Sequence, residues 1–235
     1  MQHPLFYVAG AAPGDSLIPL PDDTARHVLQ VLRMQPGEVL QLTNGTGLLL
    51  TGTLLATGKK QAAVQVSAAV EVPPPARQVT LAISILKNAA RLEWFFEKAT
   101  ELGVTRFVPL LCDRTERSHF RHDRMQALLI SALQQSRQCW LPQLDMPTPL
   151  LQLLQQLPPG TPYLAHCADG PKQSLRNVPR LLQQDATLFI GPEGDFSAAE
   201  IEAALAAGCQ PVTLGSTRLR TETAGVVGAA LLCVG

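Results

Sequence analysis

The chain has 235 residues, 46% of them hydrophobic and 16% charged, and its formal net charge is zero. That length buries a substantial core and accommodates one large domain or two small ones, and the composition is that of an ordinary soluble globular protein. Neutrality argues against a generic polyanion binder, and no apolar run reaches the roughly 18 residues that span a bilayer.

The N-terminal "MQHPLFYVAG" lacks the basic-then-apolar pattern of a signal peptide, so a cytoplasmic location is expected. In chain order, the first seventy residues read mainly as β. "LFYVA" (5–9) and "EVLQL" (38–42) are short strands, and "LLLTGTLLA" (48–56) and "AAVQVSAAVEV" (62–72) are longer ones. "TNGTG" (43–47) and "TGKK" (57–60) punctuate them as turns. One helix fits, "DDTARHVLQVLR" (22–33), with Asp22 or Asp23 as N-cap and "QPG" ending it. Strands plus a single helix suggest a small β-barrel.

The prolines of "EVPPPARQ" (71–78) are the clearest break, because they cannot continue a helix or a central strand. The chain is therefore divided into residues 1–72 and 73–235. After the break, strand and helix alternate. "QVTLAISIL" (78–86) precedes the helix "AARLEWFFEKATEL" (89–102), whose Leu92, Phe95, Phe96, Ala99 and Leu102 share one buried face. "TRFVPLL" (105–111) precedes the helix "RMQALLISALQQS" (124–136). "PYLAHC" (162–167), "ATLFI" (186–190) and "PVTLG" (211–215) are further strands. This rhythm predicts an α/β fold with a parallel sheet covered on both faces.

Parallel sheets bind ligands beyond the carboxyl ends of their strands. Three such ends stand out: Leu164-Ala165-His166, the loop Gly191-Pro192-Glu193-Gly194-Asp195, and "LGSTRLRTETAG" (214–225). The second is followed by "SAAE" (197–200), a capping box, with Gly208 closing that helix. No P-loop or dinucleotide motif is present, and Glu193 and Asp195 would repel an anion, so the loop suits a neutral or cationic ligand. A plain tight turn before a capped helix is the alternative. In the last helix, "TETAGVVGAALLCV" (221–234), Gly225, Gly228 and Ala229 suit close packing or a subunit interface.

Elsewhere, "DRTERSHFRHDR" (113–124) gathers Arg114, Arg117, Arg121 and Arg124. It reads either as a phosphate-binding stretch or as a salt-bridged surface, since Asp113, Glu116 and Asp123 are interleaved. His119, His122 and Cys112 have weak metal spacing and are read as non-ligands. The five cysteines are scattered and read as reduced, mostly buried thiols, with neither disulfide nor zinc site. Phe95 and Phe96 read as core and Trp94 as a rim residue, with no base-stacking platform.

"EKATELGV" (97–104), "IGPEGDFS" (190–197) and "LGSTRLRTETAG" (214–225) together resemble the signature set of the RsmE family. These are small-subunit 16S ribosomal RNA uridine-N3 methyltransferases of the knotted SPOUT class. "HVLQVLRMQPGE" (27–38), "TNGTG" and "ILKNAARLEW" (85–94) fit the same pattern, in order along almost the whole chain. The resemblance implies an N-terminal PUA-like RNA-binding β-barrel and a C-terminal SPOUT α/β domain with a trefoil knot. It implies S-adenosyl-L-methionine as cofactor, a homodimer through the C-terminal domain, and small-subunit ribosomal RNA, in an assembled particle, as substrate.

Carried onto this chain, the cofactor would be held by Leu164, Ala165, His166, Ile190, Gly191, Pro192, Glu193, Gly194, Leu214, Gly215, Ser216, Leu219, Thr221 and Ala224. Arg220 is the catalytic candidate, by electrostatic stabilisation of the uridine anion; anchoring RNA phosphate or pairing with Glu222 is the alternative. Arg33, Lys87 and Arg91 are candidates for RNA contact. The chain departs from the family at Asp195, where glycine is commonest, and at Thr217-Arg218, where arginine then an aliphatic residue is usual. Three rival readings remain: an RNA-binding protein with the same fold and little or no catalysis, a methyltransferase acting on another RNA, and a small-molecule methyltransferase or nucleotide-binding α/β enzyme, which should need no barrel.

Overall fold

The computed structural model describes residues 3–56, 61–179 and 181–234, and the turn expected at "TGKK" lies outside them. The chain forms two compact units: Met1–Pro74 with Leu133–Leu141, and Pro75–Ala132 with Pro142–Gly235.

The first unit is a five-stranded sheet of β1 (Leu5–Tyr7), β2 (Leu17–Pro19), β3 (Val39–Thr43), β4 (Leu48–Ala56) and β5 (Ala62–Glu71), in the order β1-β3-β4-β5-β2. The pairing of β1 with β3 is parallel and the other three are antiparallel. A register shift between Thr51 and Gly52 bulges β4 against β5; a Cβ at Gly52 would meet the Gln65 carbonyl, so only glycine fits there. One core, with Leu40, Leu42, Leu50, Leu54 and Val64 at its centre, fills the unit.

The expected helix over 22–33 divides in two. The α-helix α1 (Asp22–Arg26) passes into a π-helical stretch, His27–Val31. Arg33 then takes a positive φ of 54° and closes it. The N-cap is Pro21 rather than Asp22 or Asp23. Proline already holds an extended φ before the helix, and both carboxylates fall in the first turn, where the helix dipole favours them.

Leu133–Leu141 joins this unit although it follows the second unit's first strands in sequence. Trp140 Nε1 donates to the Val72 carbonyl at 3.1 Å, and its ring occupies the space a Cβ at Gly47 would need. Gly47 N donates to the Cys139 carbonyl at 2.8 Å. The Arg137 guanidinium bonds both the His3 carbonyl and Gln41 Oε1 at 2.5 Å. The two units are thus not simply consecutive lengths of chain.

The second unit is a parallel sheet of β6 (Val79–Ser84), β7 (Arg106–Leu111), β8 (Gln143–Leu144), β9 (Thr148–Pro149), β10 (Thr161–Ala165), β11 (Gln173–Ser174), β12 (Ala186–Ile190) and β13 (Gln210–Thr213). Their order is β11-β13-β10-β12-β6-β7-β8, with β9 also on β7. Every residue of β6 and β12 is buried, as expected of central strands covered on both faces. The helices are α2 (Ala89–Glu101), α3 (His122–Ser136, whose last turn counts with the first unit), α4 (Leu150–Gln155), α5 (Ala198–Ala206) and α6 (Thr221–Cys233).

The capping box read from the sequence is realised, with Ser197 and Glu200 at the start of α5. Asn88 caps α2, accepting from the amides of Ala90 and Arg91. The small residues of α6 serve packing inside the unit. A Cβ at Gly225 would lie 2.5 Å from the Phe95 ring, and one at Gly228 would strike Leu188 of β12. Replacing Gly228 with valine is expected to cost about 1–3 kcal/mol by overpacking. Urea unfolding of wild type and variant measures the difference.

Candidate active site

The chain enters β12 after β10 yet lays it between β10 and β6, while β13 pairs with the other edge of β10. The ends of β10, β12 and β13 therefore open on the same region. There they enclose a cleft of about 450 Å³. Its walls are Ala165 at the end of β10 with Cys167 beyond it, then Ile190 at the end of β12 with Gly191, Pro192, Glu193 and Asp195 beyond it. Arg218, Leu219 and Arg220, with Thr221, Glu222 and Ala224 of α6, close it, and Arg91 reaches in from α2.

The loop after β12 is held from several sides. Gly191 folds onto Phe196 so closely that a Cβ would come within 3.1 Å of its backbone nitrogen and ring. Glu193 Oε1 accepts from Lys87 N at 3.1 Å, and Arg114 donates to the Gly194 carbonyl at 2.7 Å. Ser197 Oγ donates to Asp113 Oδ2 at 2.6 Å, and Asp113 N donates to Glu200 Oε1 at 2.9 Å. Loops after β6 and β7 thus brace the cleft's central wall.

Asp195 is the tie between two walls. It sits at φ 65°, a left-handed conformation that aspartate tolerates better than most side chains. One carboxylate oxygen accepts from its neighbour Phe196 N at 2.9 Å, and the other from Cys167 N, in the loop after β10, at 2.8 Å. A glycine would fit the backbone equally well but could not make this bridge. Beside it, His166 Nδ1 is buried with no partner among the described residues. Burial pushes the imidazole below its ordinary value and nearby Lys172 adds to this, while Asp195 opposes it.

The cleft carries both signs of charge. Glu222 is buried, and its carboxylate lies 3.5 Å from Arg91 Nε, so Arg91 rather than Arg220 is its ionic partner. Glu193 and Asp195 are the other acids, and Arg218 and Arg220 the other bases. Among the described residues, no group of three His, Cys, Asp or Glu side chains is placed to hold a metal ion.

Residues 73–233 match the model of an RNA methyltransferase domain, and residues 20–67 that of an RNA methyltransferase PUA domain. The chain is 34% identical to the ribosomal RNA small subunit methyltransferase E of Synechocystis sp., over 87% of this chain and 69% of the relative. This chain belongs to the RsmE family. Among solved structures, a probable rRNA-methyltransferase from Porphyromonas gingivalis superposes with a TM-score of 0.89 at 35% identity, over 98% of each chain. The ribosomal RNA small subunit methyltransferase E of Neisseria gonorrhoeae, crystallised bound to S-adenosyl methionine, superposes with a TM-score of 0.87 at 29% identity, over 97% of this chain and 96% of that one.

As a member of the RsmE family, the chain has an RNA methyltransferase domain built on the parallel sheet. Of the residues expected at its site, Ala165, Ile190, Gly191, Pro192, Glu193, Leu219, Arg220, Thr221 and Ala224 meet in the cleft. Leu164 is instead fully buried in the core, and a Cβ at Gly194 would lie 3.4 Å from the Arg114 side chain. His166, Leu214, Gly215 and Ser216 lie outside the lining. Lys87 is exposed and paired with Glu116 at 2.7 Å, and Arg33 is exposed in the first unit. Arg91, expected as a surface RNA contact, lines the cleft itself.

Cys167, Asp195, Arg218 and Glu222 line it without having been among the expected site residues. Each is a sequence neighbour of an expected residue. Side-chain direction, which one-dimensional spacing in a loop does not give, is what selects them.

Substituting Asp195 with alanine is expected to cost about 1–3 kcal/mol by leaving two backbone amides without their acceptor. Hydrogen exchange at the amides of Cys167 and Phe196 should rise together; protection unchanged at Cys167 would refute the bridge. His166, with its depressed folded pKa, favours the native state above its unfolded value of about 6.5. That contribution is lost as pH falls below it. Comparing unfolding of wild type and His166→Gln between neutral and acid pH isolates this term, and identical pH profiles would exclude it.

Proposed function

We propose that this protein methylates N3 of a uridine in small-subunit 16S ribosomal RNA, with S-adenosyl-L-methionine as methyl donor. The observation that carries the reading is the cleft at the joined ends of β10, β12 and β13 in a chain of the RsmE family. The donor set fits that cofactor. Ala165, Ile190, Leu219 and Ala224 offer apolar surface to an adenosine, and Glu193 and Asp195 offer negative charge to a cationic methionine moiety. The cofactor supplies an electrophilic methyl group on a positively charged sulfur. Ile190 to Glu193 and Leu219 would hold it from opposite sides.

The remaining work falls to the chain's own side chains. The ring nitrogen gives up its proton to solvent before it takes the methyl, so negative charge spreads onto the neighbouring carbonyl oxygens of the deprotonated uridine until methyl transfer neutralises it. Arg220, at the N-cap of α6 and on the cleft wall, is assigned the stabilisation of that charge. Arg91, held by Glu222, adds a second fixed guanidinium on the same cleft. Fixing donor and acceptor at attack distance accounts for much of the acceleration in such transfers.

In the same reading the first unit grips RNA, with Arg33 on its exposed turn, and Lys87 contacts RNA near the cleft. The catalytic domain pairs with a second copy, and its last segments thread a trefoil knot. The working location is the cytoplasm and the substrate an assembled small subunit. No helix among the described residues is long and apolar enough to cross a membrane.

Transfer of labelled methyl from S-adenosylmethionine to small subunits and to naked ribosomal RNA, with the modified base identified, tests the function. N3-methyluridine is the expected product, and no transfer to either substrate would overturn the reading. Arg220→Ala should lower kcat by about a hundredfold, the scale of one lost preorganised donor, with cofactor binding by calorimetry largely retained. Equal losses in both would remove Arg220 from the chemistry.

A further inference from the structure

Resting on that reading, the second unit carries a further site. We propose that a small pocket beside the catalytic cleft holds an unstacked nucleobase flanking the methylated nucleotide. The pocket encloses about 200 Å³ between α2, the start of α3 and the loop after β7. That is below the roughly 300 Å³ at which pockets begin to enclose drug-sized ligands, and it suits a single ring system. Its floor is apolar and buried: Ile85, Leu86, Leu92 and Met125. Phe120, half-buried with its ring 6.1 Å from that of Phe96, forms a side wall.

The rim is cationic. Arg117 and Arg121 are exposed at the mouth, together with His119. Glu93 is the pocket's acid, and Arg124 already holds its carboxylate in two hydrogen bonds, at 2.5 and 2.7 Å. An apolar slot with an aromatic wall and exposed guanidinium groups at its mouth matches how proteins take up unstacked RNA bases. The arginines also meet the adjoining phosphates.

The pocket lies on a continuous path from the reaction cleft. A shallow trough, lined by Lys87, Asn88, Arg91, Arg117 and Glu193 among others, shares Arg91 and Glu193 with the cleft and Ala89 and Arg117 with the pocket. A strand that places its target base in the cleft can run along this trough and drop a neighbouring base into the pocket. The stretch 113–124 thereby divides its labour. Asp113 and Arg114 brace the loop after β12, Glu116 and Arg124 pair within the unit, and Arg117 and Arg121 face the RNA.

The test uses the full-length enzyme with assembled small ribosomal subunits, whose ribosomal RNA is the substrate. Arg117→Ala with Arg121→Ala should raise the KM for RNA about tenfold or more, the scale of one base-stacking contact, with the cofactor dissociation constant unchanged. Ala89→Phe, which adds bulk at the mouth and removes no charge, should raise it likewise. Short-wave ultraviolet crosslinking, which acts through bases, should attach a nucleotide to residues 117–125. Full recovery of KM by lysine at both arginine positions, with a harmless Ala89→Phe, would reduce the site to phosphate contact and overturn the base pocket. Crosslinks absent from this peptide would overturn it too. Crosslinking does not depend on turnover, so a crosslink there without methyl transfer would sink the catalytic reading alone.

Discussion

Strand β12 is paired on both edges and buried along its whole length, and the cleft exists because of where it lies. Five residues, Ala186 to Ile190, register against β6 on one side and β10 on the other. The loop leaving Ile190 therefore emerges between two other strand ends. A strand placed at the sheet edge would leave that loop with a neighbour on one side only. Burial on both faces fixes the register, because a slip of one residue would exchange which side chains meet α2 and α6 and which meet the opposite layer. Gly228 against Leu188 shows how little slack that packing leaves.

Upon that strand rests a set of polar ties, each joining the loop after β12 to another element. Glu193 reaches the backbone at Lys87, Gly194 accepts from Arg114, Asp195 accepts from Cys167, and Ser197 donates to Asp113. None is strong alone, since a net hydrogen bond contributes about 1 kcal/mol, but together they hold one loop from three strand ends. This preorganisation suits a site whose chemistry depends on holding two substrates in line. A zero net charge is compatible with RNA binding for the same reason. Many of the acids near the cleft are spent on such ties, and certain arginines are left to face outward.

The first unit reaches its closure by a different device. Its core is an ordinary apolar filling, but Leu133–Leu141 arrives from late in the sequence to be pinned by Trp140, Cys139 and Arg137. Gly47 permits it, having no side chain to compete with the indole. The turn "TNGTG" is thus a docking place as well as a turn. Asn44 shapes it by accepting from the amides of Thr46 and Leu48.

Much of this was legible in one dimension. The apolar run 186–190, the capping box at Ser197 and the buried Leu92, Phe95, Phe96 and Ala99 of α2 are local properties, set by periodicity and capping chemistry; Leu102, read onto the same face, is half-buried. The family signature likewise lies in contiguous motifs. What the sequence could not decide were the relations between distant residues. Asp195 reads as a mere departure from glycine until its carboxylate is seen on the Cys167 amide. Arg91 reads only as a candidate RNA contact until its pairing with Glu222 is seen on the cleft wall. Arg117 and Arg121 separate from Arg114 and Arg124 only through the partners each one meets. The sequence by itself determined the longer strands and helices, their order and the motifs that name the family, because those depend on neighbours along the chain; the short strands β2, β8, β9 and β11 and the helix α4 did not stand out in it. Only the tertiary structure decided which side chains share the cleft, because direction and distance across a parallel sheet depend on strand order rather than sequence separation.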